Sequence, residues 1–81
     1  MSVQSADGKM CSLEEMRKML EEITEQQENG SAYKIIPEKF WEEFEDVMDG
    51  LRIKYFFLGL QPEEEDIKIV KGIYKMVVKS E

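Results

Sequence analysis

The chain has 81 residues, 18 of them acidic and 11 basic, a net charge of −7, one cysteine and no histidine. Without histidine there is no Ser-His-Asp or Cys-His pair, no imidazole base and no zinc site that mixes cysteine with histidine, and one cysteine closes no intramolecular disulfide. At this length a single domain is expected, burying about 60–65% of the surface its unfolded chain exposes, and 42% apolar residues set it apart from disordered chains of similar charge.

Residues 1–11 carry Ser, Gly, Asp and Gln with little apolar periodicity, so a flexible arm is expected there, followed by one helical domain over residues 12–80. Cys11 has no cationic neighbour to activate it and reads as an inert or buried thiol, suited to a reducing compartment. Ser12-Leu13-Glu14-Glu15 has the spacing of a capping box, with Cys11 and Met16 at hydrophobic-staple positions. Leu13, Met16, Met19, Leu20 and Ile23 then recur on one stripe of a 3.6-residue helix. Asn29-Gly30 supplies a left-handed stop. The spacing predicts a first helix over residues 13–28.

Residues 30–36 form the connection, expected to be extended because Ile36 precedes a proline. Pro37 suits the first position of a helix, and Phe40, Trp41, Phe44, Val47, Met48 and Leu51 make the strongest amphipathic stripe in the chain. Beyond Gly50 two readings stand. A continued helix to residue 60 adds Tyr55 and Leu58 to the same face; a break at Gly50 leaves Leu51, Ile53, Tyr55 and Phe57 alternating as a strand does. The continued helix is preferred, since a lone strand needs partners.

After Gln61, Pro62 and the acids Glu63 to Asp66 mark the start of a last helix, their carboxylates at the positive end of its dipole. Ile67, Val70, Ile73, Tyr74 and Val77 form its apolar stripe, and Lys68, Lys71, Lys75 and Lys79 gather on one face. The fold expected is all-α, with three helices over residues 13–28, 37–60 and 63–79. The alternative is an α+β domain with residues 51–60 and 67–78 as antiparallel strands.

Between residues 38 and 49 the chain has six acids against Lys39 alone. Glu38, Glu42, Glu45 and Asp49 fall on one helical line, which reads first as a solvated face. Its sharper reading is a rod of negative charge that imitates a nucleic-acid backbone and blocks a DNA- or RNA-binding protein. The match is loose, because strand phosphates repeat about every 3.4 Å and a helix rises about 1.5 Å per residue. No metal site is expected: Glu45 to Gly50 lacks the ligand order of a calcium loop, and carboxylate pairs without histidine lack the di-iron motif. The lysine face of the last helix reads as solvated polar surface, and direct nucleic-acid binding is not expected at this net charge. Residues 14–49 hold twelve acids against four bases, whereas residues 50–80 hold four acids against six bases, so faces from the two halves attract, within one molecule or between two.

Aromatic residues crowd between Phe40 and Phe57. One helix cannot turn Phe40, Trp41, Tyr55, Phe56 and Phe57 all toward one core, so part of this set is expected at the surface, covered by the connection or by a partner. Met16, Met19, Met48 and Met76 read as core filler. With no glycine-rich phosphate loop, activated nucleophile or cofactor motif, the chain reads as a non-catalytic protein-interaction module that docks through those five aromatics and acts as a regulator, inhibitor or adaptor. The alternatives are the acidic mimic and a homo-oligomeric structural subunit. The absence of a signal-peptide pattern and of any apolar run of about 20 residues points to the cytoplasm or nucleus, not secretion, with no membrane contact.

Overall fold

In the computed structural model, which describes residues 12–79, the chain is all-α, with no strand among the described residues. The order is α1 (Leu13–Glu28), a short α2 (Ala32–Ile35), a 3-10 turn (Glu38–Phe40), α3 (Trp41–Arg52), a π-helical turn (Ile53–Phe57) and α4 (Glu64–Val77). The arm expected at residues 1–11, and with it the staple of Cys11, lies outside the described residues. The strands proposed as the alternative for residues 51–60 and 67–78 do not form: residues 51–57 and 67–77 are helical instead.

The capping box at the start of α1 is closed in both directions: the Glu15 N–H donates to Ser12 Oγ at 3.1 Å, and the Ser12 N–H donates to Glu15 Oε1 at 3.2 Å. Met16, Leu20 and Ile23 are fully buried, each such side chain contributing roughly 1.5–3 kcal/mol relative to an exposed one. Gly30 takes φ +85, the left-handed stop expected after Asn29. The connection then departs from expectation. Ala32 and Ile36 are both buried, one helical turn apart, and winding residues 32–35 into α2 brings both onto the core. Ile36 itself is extended, as its proline neighbour requires. Pro37 does not open α3; with ψ 145 it precedes the 3-10 turn and accepts the Phe40 N–H at 2.9 Å.

The helical path runs unbroken through Gly50, but its last turn widens. Leu58 N–H bonds to Ile53 O at 2.9 Å and Leu60 N–H to Lys54 O at 3.0 Å, while Gly59 at φ +65 reverses the chain. The Tyr55 carbonyl is taken by Arg17 Nε at 2.6 Å, so a side chain of α1 completes the end of this helix. The helix therefore stops at Phe57, and Leu58, expected on the buried face, is exposed.

Arg17 meets Tyr55, Arg52 meets Thr24 and Gln27, and Gln27 and Glu45 share the Tyr33 hydroxyl, so α3 runs back along α1. At the next turn Asp66 bonds to Lys54 and Tyr55, and further along Tyr74 bonds to Glu22, so α4 runs in the sense of α1. The broadest helix contact is that of α4 on α1. α3 and α4 each pack on α1 more closely than on one another.

Candidate functional site

Because α3 and α4 share α1 but splay from each other, an open groove of about 440 Å³ lies between them. Its walls are Phe40, Phe44 and Val47 on one side and Ile69, Ile73 and Met76 on the other, with Ile36 and Pro37 beside them; Glu43 is its single ionisable lining residue. Phe40, Val47, Ile69 and Met76 are all more than a third exposed. The arrangement follows from helix geometry, in which successive side chains stand 100° apart. Each of Val47, Ile69 and Met76 precedes a buried residue, Met48, Val70 and Val77 respectively, and so sits beside the core rather than in it. Met76, read as core filler, is exposed in this groove.

The five aromatics proposed as a docking set are not one surface. Phe40 lines the groove. Trp41 is half-buried, its Nε1–H donating to Ile36 O at 2.7 Å and its ring edge-on to Tyr33 at 5.3 Å. Tyr55 is at 0% exposure and belongs to the core, which corrects its assignment to the surface: its face continues the buried Met48 and Leu51 stripe. Phe56 turns toward α1, with the Arg17 guanidinium 5.9 Å from its ring centroid. Phe57 points outward at 85% exposure, at the far end of the helix, roughly 24 Å from Trp41 at 1.5 Å per residue.

The acidic line is partly occupied from within. Glu38 falls in the 3-10 turn, ahead of α3. Glu45 accepts from the Tyr33 hydroxyl at 2.8 Å, and Asp49 pairs with Arg52 at 2.7 Å. Burial and the neighbouring Glu45 hold the Tyr33 phenol above its ordinary value, against the opposing bond from Gln27. A second open cleft of about 480 Å³ is rimmed by Glu21, Glu25 and Glu28 around Arg52, but that guanidinium already bonds to Thr24, Gln27 and Asp49. No group of three or more metal-ligating side chains stands together among the described residues. No helix among them is long and apolar enough to cross a membrane.

The groove's wall of Ile69 and Met76 lies outside the apolar stripe expected of the last helix. Its signal is the width of the apolar arc: Ile67, Ile69, Val70, Ile73, Tyr74, Met76 and Val77 span roughly 180° of the α4 wheel at 100° per residue, well beyond a stripe of about 100°. Comparison with protein-family models, with curated proteins and with solved structures gave no match.

Proposed function

We propose that this chain is a non-catalytic protein-binding module that receives apolar side chains of a partner in the groove between α3 and α4. The single observation that carries the reading is that groove: the first half of α3 and the facing stretch of α4 leave an apolar channel open between them, with one ionisable lining residue. Its form suits an amphipathic helix, whose apolar stripe fills such a channel while its polar face remains in water. Phe40 and Met76 are the anchors, one a large aromatic and the other an adaptable thioether. The alternative of a nucleic-acid mimic has weaker support, since Glu45 and Asp49 already bind partners within the chain.

A photo-crosslinking side chain placed at Ile69, in the groove, and separately at Lys18, exposed on α1, tests the reading in cells. A covalent protein adduct is expected from position 69 and not from 18. Adducts of equal yield at both positions, or none at position 69, overturn it.

A further inference from the structure

The edges of the groove differ in charge, acid on α3 and, beyond the acidic first turn of Glu64 and Glu65, lysine on α4, and the sequence sets this in short triplets. In Asp46-Val47-Met48 the middle residue lines the groove and the last is buried, so at 100° per residue Asp46 must lie on the outer side of Val47. Lys68-Ile69-Val70 and Lys75-Met76-Val77 repeat the order on α4, with lysine where α3 has acid. Glu43 strengthens the acidic edge by lining the groove itself. Lys39, the base on that flank, is held over the neighbouring Phe40 ring at 5.3 Å. Lys68 and Lys75 are exposed and join no ion pair among the described residues, and neither do Glu43 and Asp46.

We propose that a second copy of this chain covers the groove about a two-fold axis running along it, with the acidic edge of α3 in each copy facing the lysine edge of α4 in the other. This rests on the groove being a docking surface and names its occupant. An apolar floor with one acidic and one basic edge is complementary to itself, which is what an isologous interface requires. Two two-fold arrangements lay this face on its copy with the grooves aligned. An axis across the groove stacks α3 on α3 and α4 on α4, setting acid against acid and lysine against lysine. An axis along the groove sets α3 on α4 at both edges, and charge selects it.

This axis leaves positions along the groove unchanged, so the opposing charges must also stand level. Asp46 precedes Tyr55 by as many residues as Lys75 follows Asp66, and Tyr55 and Asp66 are bonded at 2.7 Å. With α3 and α4 running in opposite senses at about 1.5 Å per residue, Asp46 and Lys75 stand within a helical turn of one another, whereas Lys68 lies about 10 Å along the groove from that level, so Lys75 carries the pairing. The net charge of −7 on each copy opposes association, but beyond about 8 Å it is screened at physiological ionic strength, while the facing edges are in contact.

Sedimentation equilibrium of the full chain at physiological ionic strength tests the proposal. A concentration-dependent dimer is expected. Glu43→Lys with Asp46→Lys, and separately Lys68→Glu with Lys75→Glu, should each weaken it on the order of tenfold or more, and an equimolar mixture of the two variants should restore a heterodimer. Circular dichroism checks that both variants keep their helices, as expected because all four positions are exposed. A monomer at every concentration, a dimer indifferent to both reversals, or a dimer indifferent to Val47→Asp overturns the proposal. Crosslinking at Ile69 separates this failure from that of the docking reading. An adduct with a different protein from a monomeric chain removes the second copy and keeps the docking groove, whereas the absence of any adduct removes both.

Discussion

The Tyr55 hydroxyl donates to Asp66 Oδ2 at 2.7 Å and accepts the Glu63 N–H at 3.1 Å, tying the end of the π turn to the start of α4. The ring is fully buried and the two bonds are part-buried, so water replaces them incompletely when the hydroxyl is removed. Tyr55→Phe keeps the apolar ring but leaves the Glu63 amide without its acceptor and takes one donor from Asp66. A loss of about 1–3 kcal/mol is expected, read from urea unfolding with the helical spectrum of the native state preserved. A variant as stable as the parent would show that the hydroxyl contributes nothing net.

The same carboxylate gives stability a defined acid limb. Burial alone would raise the Asp66 carboxyl, but the bonds from Tyr55 and Lys54, with the Lys54 charge, outweigh it and hold the group below its ordinary value. The lysine responds in kind: its bond to Asp66 lifts the Lys54 ammonium above its usual range. A carboxyl depressed on folding contributes fully above its unfolded value, near 3.9, and its contribution is lost as pH falls below that through the folded value. Thermal unfolding followed from neutral to strongly acid pH should therefore decline less steeply below the usual aspartate range in Asp66→Asn than in the parent. Parallel declines would remove Asp66 from the account.

Much of the fold was legible because it rests on local chemistry. The capping box of Ser12 and Glu15, the stop at Gly30 and the apolar stripes of α1, α3 and α4 all follow from spacings within a few residues. The π turn was not, and no local spacing records the contact that accompanies it, Arg17 on the Tyr55 carbonyl from 38 residues away. Nor was the division of the aromatics, since a helical wheel assigns an angle to Tyr55 and Phe57 but not the neighbour that each angle meets. The groove was legible only in part. Its floor of Phe44 and Ile73 lay on the expected stripes, whereas its openness depends on how far α3 and α4 splay on α1, which no local pattern records.

Two glycines of the middle segment should respond in opposite directions to the same substitution. Gly50 lies within α3, and a Cβ added there meets nothing within 4 Å, so Gly50→Ala should stabilise by about 0.5–1 kcal/mol through helix propensity. Gly59 stands at φ +65, with Arg17 Nη2 at 3.7 Å from an added Cβ. Contact at that distance is ordinary, so the penalty comes from the backbone. Gly59→Ala should cost about 1 kcal/mol or more and loosen the turn that joins the π segment to α4. Chemical denaturation of the pair checks both signs, and a stabilising Gly59→Ala would mean that the reversal is not held in the left-handed region.

Trp41 and Phe57 sit at opposite ends of one helical path and should separate folding from surface chemistry. Trp41 packs edge-on against Tyr33, which in turn meets Phe44 at 6.0 Å, and its indole N–H is satisfied by Ile36 O. Trp41→Ala removes the ring that joins α2 to α3 and leaves that carbonyl unpaired, so a loss of about 2–4 kcal/mol is expected for this partly buried site. Phe57 is exposed over most of its surface and has no ring contact among the described residues. Phe57→Ser should change stability by no more than about 0.5 kcal/mol while lowering the apolar area at that end of the molecule. Melting temperatures of the two variants decide the assignment: a large drop in Phe57→Ser would place that ring in a packed environment, and an unchanged Trp41→Ala would free the indole to act as surface.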